Sequence, residues 1–291
     1  QIARSFYPLN IVHQYELGRD EAREMASFIA GAGRRALERI PGAPRKRLED
    51  LPVAAVVLRR LLRRLSPSRV VFCVDGVREG WYMRNAAPET MRQDPLEAAS
   101  RDLSDRLGRN PNLPPALLDW TTPLFGAPGL DPVGAAAAGE TVKQRGLRAA
   151  ACAISDTGAL DHPEYRAEQS FLRILRLPGM ALDHPTRAFL ALVLAVRYEA
   201  PTDSPFCDPA RRLLDPVEFR RAEQLGLALS LAYALCAGVP ELLESTGLAL
   251  QDRRLVLRLG RDRVMFGGES VSRRLERLAL SAGLSSEIVT A

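Results

Sequence analysis

Histidine and lysine are scarce in this chain, and cysteine is sparse. Only His13, His162 and His184 occur, and no HExxH or paired-cysteine spacing is present. Zinc sites of those two types are therefore excluded. The cysteines Cys73, Cys152, Cys207 and Cys236 stand far apart with no CxxC pair. That pattern predicts buried free thiols in a reducing compartment, not a disulfide framework. There is no P-loop or GxGxxG fingerprint, and no GxSxG nucleophile elbow. Apolar runs are short and broken by Arg, Glu or Gly. None approaches the roughly 18 residues of a spanning helix, so no membrane partner is expected and a cytoplasmic location is. The opening Gln1-Ile2-Ala3-Arg4-Ser5 has neither an initiator Met nor a signal-peptide pattern. The expectation is a chain that begins inside a longer protein.

What the chain has in quantity is arginine. Lys46 and Lys143 are the only lysines among 40 basic residues, set against 35 acidic ones. Arginine presents a planar fork that matches phosphate oxygens, although an arginine-rich codon bias gives the same count. The net charge of +5 allows an anionic partner without calling for nucleic acid. With 46% hydrophobic and 26% charged residues in 291, the composition is that of a globular protein of two domains.

Periodicity places a helix from about Asp20, as N-cap, to Ile40, ended by Pro41-Gly42-Ala43-Pro44. A second helix spans about Val53 to Leu65. Its Arg59, Arg60, Arg63 and Arg64 share one side, with Val56, Val57, Leu61 and Leu65 largely elsewhere. That basic side is either a solvated face or a polyanion-binding one. Arg69 to Val74 reads as a buried strand closed by Asp75-Gly76, and Val77 to Met83 as a short strand or turn. From Pro88 onward the pattern is mostly helical. Asp94 to Leu107 opens on Asp-Pro; Asn110 to Pro115 and the Ala/Gly-rich 127–139 read as loops. Further helices cover Arg148 to Asp156, Tyr165 to Leu177, Pro185 to Tyr198 and Val217 to Cys236, the last in the core. Leucines 248 to 259 alternating around Gln251-Asp252-Arg253-Arg254 predict a β-hairpin, and a helix follows from Ser270 to Ala282. The domain boundary falls at about residue 88, giving 1–88 and 89–291.

Asp161-His162-Pro163 and Asp183-His184-Pro185 repeat one motif. Proline after each histidine predicts helix N-termini, where Asp or His caps free N–H groups. Metal ligation is the competing reading. No residue is assigned to a metal or to catalysis.

Several blocks, in order, resemble the Ppx/GppA phosphatase family in its alphaproteobacterial form. They are Tyr7 to Tyr15, Arg47-Leu48-Glu49-Asp50-Leu51-Pro52, and Val70-Val71-Phe72-Cys73-Val74-Asp75-Gly76-Val77-Arg78-Glu79-Gly80. Asp94 to Ala99, Arg148 to Asp156, Asp161 to Arg166 and Asp183 to Leu190 follow. The family usually carries Ser where this chain has Cys73. The resemblance implies an α+β, mostly α fold. The end of an actin-like (ASKHA) lobe would lead into an all-helical domain related to HD phosphohydrolases, with the C-terminal hairpin and helix. Ser155-Asp156 stands where such a domain carries His-Asp.

The family releases terminal phosphate from inorganic polyphosphate, or from guanosine pentaphosphate, with Mg²⁺ as cofactor, and homodimerises. Its glycine-rich phosphate loops and catalytic glutamate lie upstream of anything present here, so this portion alone is expected to be inactive. The resemblance implies substrate contacts at Arg47, Gly76, Arg78 and Glu79. The plainer reading makes Arg47 a surface arginine and Arg78 a structural ion-pair partner. The alternative function is a non-catalytic polyphosphate- or alarmone-binding and dimerisation module.

Overall fold

A computed structural model of the chain describes residues 11–40, 45–126, 139–177, 182–261 and 267–290. The loop expected at 127–138, the helix stop at 41–44 and the segment Tyr7–Asn10 lie outside them. The fold is α+β with helix dominant, and the chain divides into two compact units, residues 1–91 and 92–291.

In the first unit, β1 (Tyr15–Gly18) leads directly into α1 (Arg19–Gly31). Asp20 is not the cap of α1; it lies in the first turn, and the Gly18 N–H donates to the Glu21 carboxylate at 2.9 Å. Ala32-Gly33 interrupts the long helix expected here, and α2 (Arg34–Glu38) resumes it. A single 3-10 turn, Arg45–Arg47, precedes α3 (Leu51–Leu65). Then come β2 (Arg69–Phe72), α4 (Val77–Arg84) and α5 (Pro88–Met91). β1 and β2 pair antiparallel, Tyr15 opposite Phe72 and Gly18 opposite Arg69, and α1 packs on α3. The core is small: Tyr15, Leu17, Ala22 and Leu62, flanked by Met25, Leu58, Val70 and Phe72.

Two further expectations are corrected in this unit. Val77 to Met83 is helix, not a short strand or turn, because Glu79 caps the turn that starts it. α3 buries Ala55 and Leu62, while Val56, Val57, Leu61 and Leu65 are exposed beside the arginines.

The second unit opens with α6 (Pro95–Leu107), whose cap Asp94 accepts from the Glu97 N–H at 3.0 Å. α7 (Leu113–Phe125) begins inside the expected loop. Pro114 and Pro115 lack amide hydrogens that the first turn does not use, so they open the helix. Next are α8 (Val142–Ile154), α9 (Arg166–Leu175), α10 (His184–Arg197), α11 (Asp208–Leu213) and α12 (Pro216–Cys236). α10 is buried on every side and lies between α9 and α12. Gly226 permits that crossing: a Cβ there would stand 2.6 Å from the Val196 Cβ and 2.7 Å from the Val193 carbonyl.

Asp183 caps α10, accepting from the Thr186 N–H at 2.8 Å with His184 and Pro185 in the first turn, as the motif predicts. The first copy of the motif differs. Asp161 pairs with Arg173, and the Glu164 N–H donates to His162 Nδ1 at 3.3 Å. The His162 ring stacks on Tyr165, and α9 starts only at Arg166.

The remaining elements are β3 (Thr246–Gln251), β4 (Arg254–Leu259), α13 (Glu269–Ser281) and β5 (Ser285–Thr290). β3 and β4 form the expected hairpin, Leu248 opposite Leu257 and Leu250 opposite Leu255. Asp252 and Arg253 both take positive φ, as a two-residue turn matched to strand twist requires. β5, not anticipated, adds parallel to β4 after the α13 crossover. Trp120 of α7 is buried and donates its indole N–H to Thr246 Oγ1 at 3.0 Å, tying the helices to the sheet. A buried ion cluster joins Glu140 to Arg148 and Arg221.

Candidate functional site

A cavity of about 290 Å³ opens where the ends of several helices of the second unit meet. Four arginines line it: Arg109 after α6, Arg166 at the start of α9, Arg197 at the end of α10, and Arg274 on α13. Ser230 and Tyr233 of α12 and Glu199 add to the polar wall.

The arginines are not equivalent. Arg109 grips Asp156 with two nitrogens, Nε to Oδ2 at 2.9 Å and Nη2 to Oδ1 at 2.7 Å, and its backbone N–H adds a third bond at 3.0 Å. The hydrogen bond to Asp156 raises the pKa of Arg109 further. Arg274 pairs with Glu199. Arg166 and Arg197, among the described residues, have neither a hydrogen bond nor an ion pair from their side chains. Arg197 is nearly buried, at 8% exposure, with its Nε unbonded. Its guanidinium lies 4.0 Å from the Tyr198 ring centroid and 3.7 Å from that of Tyr233. Ring faces attract a cation by about 2 kcal/mol when desolvated, less than a buried charge costs. An anion would supply what the rings do not.

The tyrosines stay neutral. Burial raises the pKa of both Tyr198 and Tyr233. The Tyr233 hydroxyl shares a hydrogen bond with Ser155 Oγ at 2.9 Å, and Tyr198 accepts from the Gly158 N–H at 3.0 Å. Gly158 is required there, because a Cβ would fall 2.9 Å from the Tyr198 ring. Asp156, the acid of the Ser155-Asp156 pair, thus has both oxygens committed to Arg109. The cavity lining is rich in guanidinium groups, and the carboxylates of Asp156 and Glu199 are both paired with arginine.

The residues singled out from sequence all lie in the first unit. Arg47 ends the 3-10 turn before α3 and is exposed. Gly76, Arg78 and Glu79 come together at the start of α4. The Gly76 N–H donates to the Glu79 carboxylate at 2.7 Å. Backbone hydrogen bonds, from its own N–H first and Gly76 next, hold the Glu79 pKa below its ordinary value. Arg78 is exposed on the same turn. No hydrogen bond or ion pair among the described residues joins Arg47 to this group.

Sequence reasoning singled out none of the four cavity arginines. They come from four separate helices or their ends, with no common period. The one available signal was the general excess of arginine over lysine.

Among the described residues, no helix is long and apolar enough to cross a membrane. No curated protein matches the chain. The model of the family described as "Exopolyphosphatase, C-terminal" matches residues 96–289, more than half of the chain and all four arginines of the cavity. With its mostly helical second unit and that match along nearly the whole of it, the chain belongs to the exopolyphosphatase C-terminal family.

Proposed function

We propose that this chain is the C-terminal portion of an exopolyphosphatase and that its second unit binds the phosphate chain of the substrate. The observation that carries the reading is Arg197, a buried cation with aromatic faces and, among the described residues, no anionic partner, in a cavity that also holds Arg166, likewise without an ion pair among the described residues. A phosphate group presents the oxygens that guanidinium forks match. The substrate is inorganic polyphosphate, with guanosine pentaphosphate as the alternative bearing the same chemistry.

In this reading the hydrolytic step belongs to residues outside the chain. Mg²⁺ needs free oxygen ligands. Glu199 at the cavity and Asp156 behind Arg109 are both paired with arginine, so this donor set does not fit that ion. The first unit is then the end of an actin-like lobe and the second an HD-related domain that binds without cleaving. Arg47 and Arg78 would add phosphate contacts in the first unit. Gly76 and Glu79 would act through the turn they hold, since a capping carboxylate repels phosphate. Assembly as a homodimer belongs to the same proposal.

Binding of long-chain polyphosphate to the full chain, followed by calorimetry, tests this. Charge-assisted hydrogen bonds contribute roughly 1.5–3 kcal/mol each. Arg197→Gln should therefore weaken binding by about ten- to a hundredfold, with unchanged helical content. Phosphate release with Mg²⁺ should be absent. Affinity untouched by both Arg197→Gln and Arg166→Gln would sink the proposal, and turnover by this chain would show that a catalytic site lies within it.

A further inference from the structure

Away from the arginine cavity, the paired strands of the first unit bring three metal-ligating side chains to one corner. His13 stands just before β1 and Cys73 just after β2. The antiparallel register, with Tyr15 opposite Phe72 and the Gln14 N–H donating to the Phe72 carbonyl at 2.8 Å, sets those strand ends side by side. Asp75 returns to the same corner from the turn that follows. Cys73 Sγ lies 3.8 Å from His13 Nδ1 and 3.7 Å from Asp75 Oδ2. One ligand atom from each residue falls within 4.8 Å of the other two.

These distances have a chemical meaning. Tetrahedral zinc holds sulfur at about 2.3 Å and nitrogen or oxygen at roughly 2.0–2.2 Å. Donor atoms on such a centre are then spaced on the order of 3.5 Å from one another. The corner has nearly that spacing already, so small side-chain rotations would close it on an ion. The Val74 N–H points at His13 Nδ1 from 3.4 Å. In that contact Nδ1 is the acceptor, and a metal at the corner would have to replace this long bond. The donor set is also balanced in charge: a thiolate and a carboxylate neutralise a dication, and imidazole completes the mixed sulfur–nitrogen–oxygen character that zinc prefers over harder ions. Cys73 and Asp75 are exposed while His13 is largely buried. The ion therefore has an entry path and one firmly held ligand.

We propose that His13, Cys73 and Asp75 form a three-residue zinc site that clamps the open end of the β1–β2 pair, with a fourth position left to water or an added ligand. The site is independent of phosphate binding in the second unit. His13 and Cys73 are sixty residues apart in the chain, so the site would tie together a unit whose apolar core is small.

The test uses the full chain, stripped with a chelator and titrated with Zn²⁺ in competition with a chromophoric chelator, and separately with Co²⁺. One equivalent should bind. The Co²⁺ form should show a thiolate charge-transfer band, which can be attributed because Cys152, Cys207 and Cys236 are buried. Cys73→Ser should abolish the band, and Asp75→Asn should weaken Zn²⁺ binding by roughly tenfold or more. Both positions are exposed, so far-UV circular dichroism should be unchanged. His13→Asn should weaken binding similarly. Absence of one-equivalent binding, or a band that persists in Cys73→Ser, would overturn the site.

Discussion

Arg187 and Arg197 sit toward opposite ends of the same buried helix and are satisfied differently. Arg187 donates to the carbonyls of Leu182 and Leu177 at 3.2 and 2.6 Å, and burial lowers its pKa. It is a structural strut. Arg197 has two tyrosine faces and open space, which is why the proposed anion site centres on it. Nothing in the local sequence separates Phe-Leu-Ala from Val-Arg-Tyr as surroundings for these two roles; the difference comes from which neighbouring helix ends there. Arg47, Gly76, Arg78 and Glu79 drew notice in the sequence because they stand in two short blocks that resemble the family, not because of any geometry. For Glu79 the geometry adds a capping role that the block alone did not disclose.

Buried thiols supply a residue-scale prediction. Burial pushes the Cys152 thiol from 9.0 up to about 12 and the Cys207 thiol up to about 11. Below about pH 9 both the folded and unfolded chains hold these protons. Above it the unfolded chain releases them first, so stability falls as pH rises toward the folded values. Cys152→Ala should start less stable at neutral pH because it leaves a small cavity. It should then lose stability more slowly above pH 9, by at most about 1.4 kcal/mol per pH unit. Urea unfolding at several alkaline pH values reads this directly; parallel declines in parent and variant would contradict it.

At the scale of elements, the helix crossing at Gly226 is the sharpest constraint. Ala is the better helix former by about 1 kcal/mol, yet at Gly226 its methyl would meet Val196 and Val193. Overpacking of that kind costs roughly 1–3 kcal/mol, so Gly226→Ala should lower the melting temperature by a few degrees. Gly146 of α8 has open space around its would-be Cβ, and Gly146→Ala should raise it. A calorimetric scan of the pair that moved both in the same direction would refute the close-approach argument.

Helix existence was legible wherever an aspartate cap preceded proline, as at Asp94, Asp183 and Asp215. It was not legible at α7, whose opening prolines mimic a loop, nor at α4, whose Val-Arg-Glu-Gly has no clear period. β5 escaped because Ser285-Ser286-Glu287 looks like solvent-facing chain. Its strand character comes from the β4 edge it joins.

At the scale of the whole chain, the two units differ in how much apolar surface they enclose. The first buries a handful of side chains and leaves Phe28, Val53, Val77 and Tyr82 exposed. The second encloses α10 and most of α12. Local opening is easiest where few buried contacts must be broken. Hydrogen exchange should therefore proceed faster at the β1–β2 amides than at those of α10 and α12, by at least tenfold. Equal protection would mean that the first unit is held by more than its own core. The family match follows the same division, since it covers the second unit and stops short of the first.

The placement of the two tryptophans has an optical consequence. Trp81 on α4 is 62% exposed in the first unit, and Trp120 on α7 is 7% exposed in the second. Each unit carries one fluorophore, the first wet and the second dry. A water-soluble quencher reaches the first ring and not the second. Steady-state emission therefore resolves into a red component that follows residues 1–91 and a blue one that follows residues 92–291, and the native chain reports on its two halves without a label.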